Sequence, residues 1–391
     1  MTRPAPSSRS DVDPFIVMDV LARAQVLEAE GRHIVHLEVG QPGTPAPEGA
    51  RRALAEAMAR GTLGYTAGLG LPALRQGIAR RYAERHGVEV DPARIVVTAG
   101  ASGAFVLAFS LLFDAGDRVG LGVPGYPSYR SILKAVSLEP VLIETRAVDR
   151  FQPRPGDVAG LKGLIVASPA NPTGTILTRS ELAALGEACR AEGAALISDE
   201  IYHGLTWTGE EATALDAAPD AVVINSFSKY FSMTGWRIGW LVVPPHLVRR
   251  AEMLAQNLFI CASHAGQVAA LAALDCGEEL DAIRDGYARS REAVMNGLRK
   301  AGLTGFAPPE GAFYVYVDIA RIGLSSLDLS ARLLDEAGVA TTPGLDFDPA
   351  RGVDWLRLSY AGTEADVAEG MDRIASWMRA NVRETGGLTP E

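Results

Sequence analysis

A single lysine, Lys229, stands in the stretch SFSKYFSMTGWRIGW (226–240), between Ser228 and Tyr230, with Ser226 and Arg237 to either side. An amine attacks a carbonyl only when deprotonated, and an enclosed electropositive setting lowers its pKa. The hydroxyls and the planar guanidinium fork are donors suited to one small anion. Other chemistry-bearing residues interrupt other apolar runs: Ser102 in TAGASGAF, Tyr126 after a Pro-Gly pair, Asn171 in NPTG, and Asp199 with Tyr202 in SDEIY. Singly, each has an ordinary structural reading, such as a turn asparagine, a strand-end carboxylate or a packed tyrosine. Their joint placement at the ends of successive apolar runs argues for a site.

Those runs are short and bounded by Gly, Pro or Asp: RIVVTAG (94–100), RVGLGVP (118–124), GLIVASP (163–169), ALISDEIY (195–202), AVVINSF (221–227) and RIGWLVV (237–243). Most are separated by helix-length segments such as TRSELAALGEACRAEG. Continuous apolar strands alternating with helices predict an α/β fold, a large domain whose mainly parallel, doubly wound sheet is covered by helices. In such sheets ligands collect at the carboxyl ends of the strands. TAGASGAF reads as a strand–turn–helix junction, and the free N–H groups of Ala101 and its neighbours there face an anion at the helix N-terminus. After about residue 285 the pattern changes. GAFYVYVDI and WLRLSYA predict strands of a smaller sheet, with helices over 325–338 and 363–381. Together with a helix over Val17–Glu30 and the strand HIVHLEVG they predict a smaller α+β domain built from both chain ends. The expected domains are 1–45 (an arm and part of the small domain), 46–285 (large) and 286–391 (small).

The 391 residues suit two lobes better than one. A net charge of −10 argues against nucleic acid or an anionic membrane as a general partner. Cys189, Cys261 and Cys276 are widely spaced and match no metal-ligand pattern, so reduced thiols and no metal are expected. The N-terminal apolar part is short and contains Asp19, unlike a signal peptide, and the run Phe105 to Phe113 is too short to span a bilayer. A cytoplasmic location is expected.

NPTG, SDEIY, SFSKYFSMTGWRIGW and WLRLSYAG, in this order and spacing, resemble a fold-type-I, pyridoxal-phosphate-dependent aminotransferase of class I/II, and the similarity covers essentially the whole chain. The resemblance implies pyridoxal 5'-phosphate as cofactor, with Lys229 forming the internal aldimine and shuttling the proton. It implies that Asp199 keeps the pyridine nitrogen protonated, and that Tyr202 and Asn171 donate to the phenolic oxygen. Ala101, Ser102, Ser226, Ser228 and Arg237 would hold the phosphate. Tyr126 would stack on the ring, and Tyr65 would reach the phosphate of a neighbouring subunit in a homodimer. Arg357, with Gly40, would bind the substrate's α-carboxylate. The activity implied is ping-pong transfer of an amino group from an L-amino acid to a 2-oxo acid. Dicarboxylate-specific relatives supply a second basic group, either a lysine where this chain reads Gly100-Ala101-Ser102-Gly103 or an arginine from the partner subunit, with which nothing in this chain aligns clearly. Neutral or aromatic donors are therefore expected over aspartate.

Four other readings compete. A C–S lyase, or an aspartate/2-oxoglutarate aminotransferase, would use the same scaffold. An effector-sensing domain of a transcription regulator would need an attached basic DNA-binding domain, and no helix-turn-helix is apparent in this acidic chain. A nicotinamide-dependent Rossmann enzyme is disfavoured because GLGVPG lacks the strand–helix context.

Overall fold

The computed structural model describes residues 4–382. Contacts divide them into two units, one of residues 4–14, 41–285 and 308–312, the other of residues 15–40, 286–307 and 313–382. Residues 308–312, expected in the small domain, fall with the large unit, and so do residues 4–14 and 41–45 of the segment 1–45, expected as an arm and part of the small domain. Side-chain pairing gives the reason. Asp13 lies 3.4 Å from Arg130 Nε and 3.2 Å from Lys134 Nζ, both on the helix Pro127–Ala135. Glu310 accepts from the Ile176 N–H at 3.0 Å and faces Arg150 at 3.4 Å. The ends of the expected domains, 1–3 and 383–391, lie outside the described residues.

In chain order the strands begin with β1 (Val35–His36) of the smaller unit. The larger unit then contributes β2 (Ile95–Thr98), β3 (Arg118–Val123), β4 (Glu139–Glu144), β5 (Gly163–Ala167), β6 (Ala195–Asp199), β7 (Val222–Ser226) and β8 (Gly239–Val242). These seven form one sheet in the order β2-β8-β7-β6-β5-β3-β4. β8 runs antiparallel to both neighbours and the remaining pairs are parallel. The mainly parallel α/β sheet expected from the sequence is therefore present. β4 is not among the anticipated runs, because Pro140 and its flanking glutamates break the apolar pattern. It lies at the sheet edge, where a strand tolerates proline and charge.

Helices pack on the sheet through side chains that are apolar in long blocks. Val96, Phe105, Phe109, Leu121, Ile165, Ile197, Ile224 and Leu241 are all within 2 % of full burial and share one core. Each such side chain contributes roughly 1.5–3 kcal/mol relative to exposure. The helix Arg179–Glu192 shows how local sequence sets the boundaries. Thr178 and Glu181 form a reciprocal capping box at its start, and Gly193 closes it at φ +65°.

The smaller unit holds β9 (Tyr314–Asp318), β10 (Val339–Ala340), β11 (Thr342–Pro343) and β12 (Trp355–Ser359). β1 pairs in parallel with β10, while β11-β12-β9 form an antiparallel sheet. The helices Ile16–Ala29 and Glu364–Asn381 match two expected segments within two residues at either end. The expected helix over 325–338 is α-helical only at Ser326–Arg332 and continues as a π-turn over Leu333–Ala337. Among the described residues no helix is long and apolar enough to cross a membrane.

Candidate active site

Strand register gathers the anion-binding candidates. Gly239, which opens β8, pairs with Thr98 on one side and with Ser226 on the other. Because β8 is antiparallel, its first residue lies at the edge where β2 and β7 end. Arg237, two residues earlier, is thereby carried to the turn after β2, where the helix Gly100–Leu112 begins. The contact is close: a Cβ at Gly100 would overlap the Arg237 guanidinium, and one at Gly239 would come 2.8 Å from the Ala101 nitrogen. Gly100 has φ +69°, so glycine suits the position on both counts. Arg237 itself has φ +55°, an uncommon backbone state for a non-glycine residue, and donates from Nη1 to the Thr234 carbonyl at 3.0 Å. Ser226 and Ser228 are buried, with their hydroxyls 2.8 Å apart, and the Ser228 N–H donates to Ser226 Oγ at 3.1 Å. Ala101 is buried and Ser102 exposed in the first turn of the helix. Arg237, the Ser226 and Ser228 hydroxyls and the start of the helix Gly100–Leu112 thus lie together.

One strand along, Asp199 ends β6 and is 4 % exposed. Its carboxylate accepts from the Tyr129 hydroxyl and, at 3.1 Å, from the Ile201 N–H. Burial pushes its pKa up to about 6, against the lowering influence of those two donors and of the Lys229 charge. Adjacent strand residues point to opposite faces, and Glu200 turns away accordingly. It accepts from the Ala214 N–H at 2.8 Å and Thr213 Oγ1 at 2.9 Å, and burial raises its pKa to about 8. Lys229 is half-buried after β7, its Nζ 5.9 Å from the centre of the Tyr202 ring. Tyr202 and Asn171 are buried, and Tyr126 is partly buried at the start of the helix Pro127–Ala135.

Two further candidates belong to the smaller unit. Arg357 lies on β12, the central strand of its sheet, and is 3 % exposed. Its Nη2 donates to the Glu38 carbonyl and, at 3.2 Å, to Thr342 Oγ1. The guanidinium packs between the rings of Tyr314 and Phe347, 4.5 and 4.7 Å from their centres. Gly40 is fitted to Tyr314 so closely that a Cβ there would overlap the phenolic oxygen. Tyr65, back in the larger unit, is 83 % exposed.

Residues 32–374 match the family described as Aminotransferase class I and II. The chain belongs to that family. It is 46 % identical over 378 residues to the valine–pyruvate aminotransferase of Mycobacterium tuberculosis, covering 95 % of this chain and 97 % of the relative. Among solved structures it resembles a putative aminotransferase from Silicibacter pomeroyi at 56 % identity and a TM-score of 0.92, covering 96 % of this chain and all of that one. An aspartate aminotransferase from Thermus thermophilus with maleate is 31 % identical at a TM-score of 0.89, with the same coverage. The protein is a transaminase, and amino-group transfer is its chemistry.

In this aminotransferase the contact that sequence reading did not single out is Tyr129. Its ring meets that of Tyr126 edge-on at 5.3 Å while its hydroxyl bonds Asp199, and it is 5 % exposed. The signal was present in PGYPSYR: Tyr126 and Tyr129 are three residues apart at the start of a helix, a spacing that puts both on one side.

Proposed function

We propose that this aminotransferase carries pyridoxal 5'-phosphate on Lys229, with the residues at the carboxyl edge of the sheet as its holders. The observation that carries this reading is the cradle in which Arg237 packs against Gly100 beside Ser226, Ser228 and the helix N-terminus. Its donor set is the one a phosphate dianion requires. Asp199 supplies a buried carboxylate for a protonated ring nitrogen, Tyr202 and Asn171 supply polar groups for the phenolic oxygen, and Tyr126 supplies an aromatic face. When bound, the cofactor offers an electron sink for the pair released at the substrate's Cα.

The chain's own groups perform the rest. Lys229, as a neutral amine, takes the Cα proton and returns it. Arg357 binds the α-carboxylate through its planar fork, which fixes the direction of the Cα–H bond. Arg357→Lys keeps the charge and loses the fork, so KM for the amino donor should rise by about tenfold or more, the weight of one charge-assisted hydrogen bond. Steady-state kinetics with thermal melting alongside check this, since Arg357 also ties down the Glu38 carbonyl.

The working unit is a homodimer in this reading, with Tyr65 acting on the other subunit's phosphate, and its 83 % exposure suits that role. The donors are neutral aliphatic or aromatic L-amino acids, and the acceptor a 2-oxo acid such as pyruvate. Support comes from the 100–103 turn, which offers no lysine to a distal carboxylate, and from the 46 % identical relative named for valine and pyruvate. Each donor methylene in an apolar pocket is worth about 0.8 kcal/mol. A buried distal carboxylate without a partner costs several kcal/mol. A panel of donors in single-turnover half-reactions should rank valine, leucine or phenylalanine above aspartate. Aspartate leading by tenfold would overturn the preference.

A further inference from the structure

His203 follows Tyr202 in the turn after β6 and is 5 % exposed, yet among the described residues neither ring nitrogen has a hydrogen-bond partner. A buried imidazole left in that state calls for an explanation, commonly a bound ion or water. His86, at the end of the helix Pro72–His86, faces it with ring centres 5.1 Å apart. His86 Nε2 lies 3.9 Å from Glu211 Oε1, and one ligand atom from each of His86, His203 and Glu211 falls within 4.8 Å of the others. Two ligands at about 2.1 Å from one ion are at most about 4.2 Å apart, so a small rotation of a side chain closes the set.

We propose that His86, His203 and Glu211 form a binding site for one divalent transition ion of the zinc type. Two imidazoles and one carboxylate are the ligand set of an open zinc site, with water in the fourth position. An adjoining cavity of about 400 Å³, lined by Arg85, His86, Arg179, Glu210, Glu211 and Asp216 among others, supplies that water. The surrounding groups fit the assignment. Glu200 Oε2 lies 3.4 Å from His203 Nδ1, where an outer carboxylate orients a ligating imidazole and leaves Nε2 to the ion. Glu211 is held by the Gly204 N–H at 2.7 Å and Thr206 Oγ1 at 2.8 Å, both on Oε2. Arg85 donates to Oε1 at 2.6 Å, leaving that oxygen a second lone pair. Arg85, and Arg81 stacked on the Tyr230 and Phe231 rings, place positive charge near the site. The two imidazole nitrogens, rather than that charge, select the ion, since magnesium and calcium bind through oxygen ligands whereas zinc bonds to nitrogen. An ion here would brace the turn that follows Asp199 and carries Tyr202. The three ligands come from separate positions along the chain, which is why no sequence spacing announces them.

The test uses the purified full-length protein, stripped with chelator, loaded with zinc chloride and desalted. One zinc per chain should remain by elemental analysis, and zinc should raise the melting temperature where magnesium does not. His86→Gln and His203→Gln should each weaken zinc binding by at least about tenfold and abolish the melting shift. Should His203→Gln fail to fold, His86→Gln and X-ray absorption at the zinc edge still decide. The absorption should show a nitrogen and oxygen shell at about 2.0–2.1 Å. No retained zinc, equal retention by His86→Gln, or a sulfur shell at about 2.3 Å would overturn the proposal.

Discussion

Lys229→Ala gives a folded protein whose amino-transfer rate falls by on the order of 10³-fold or more, within the range that positioned proton transfer supplies. In the proposed reading the loss is this large because the same amine both holds the cofactor and moves the proton. Stability should change little. The turn after β7 is held by Ser226 and Ser228, by the Phe227 N–H on the Ile238 carbonyl, and by the Ser232 N–H on the Lys229 carbonyl. None of these hydrogen bonds uses the Lys229 side chain, so the turn itself should persist in Lys229→Ala. Rate measurements paired with thermal melting check both halves of the expectation.

Asp199→Asn keeps the shape of the side chain and removes its charge, and the rate should fall by on the order of 10²–10³-fold, as when one preorganised electrostatic partner is removed. Glu200→Ala should behave in the opposite way. It leaves the Ala214 N–H and the Thr213 hydroxyl buried without their acceptor, at about 1–3 kcal/mol for each group, so melting falls while the folded fraction keeps its rate. A severe rate loss in Glu200→Ala with a mild one in Asp199→Asn would reverse the assignment. The pH dependence gives a second check. With burial raising Asp199 to about 6, the cofactor-free protein carries a carboxylate there at pH 7.5 and a neutral acid at pH 5. Uptake of pyridoxal 5'-phosphate by wild type should weaken as pH falls through about 6, over and above any change in Asp199→Asn, which has no such group to titrate.

The strands that position this site were legible because they are buried on both faces and so read as unbroken apolar runs. Their polar residues fall where each run stops, which is how Asn171, Asp199, Tyr202 and Ser226 could be selected together. Arg237 was legible as a motif, but its approach to Gly100 depends on β8 being antiparallel, and that follows from pairing rather than from composition. β4 was missed because an edge strand tolerates the Pro140 and glutamates that a central strand would not. Tyr129 was missed for another reason: a buried tyrosine and one bonded to a buried carboxylate look alike until the partner is seen. His86, His203 and Glu211 show the same limit, since 117 positions separate the first two and only folding brings them together.

Lys229 is the proposed carrier of the cofactor. The chain has only four lysines, Lys134, Lys162, Lys229 and Lys300, so the assignment is sharply testable. Borohydride reduction of the purified protein, followed by proteolysis and mass mapping, fixes a bound carbonyl compound to the amine that holds it. One pyridoxyl-phosphate mass increment is expected, on the peptide containing Lys229. An increment on Lys134, Lys162 or Lys300 in its place, or none on a protein that transfers amino groups, would contradict the assignment.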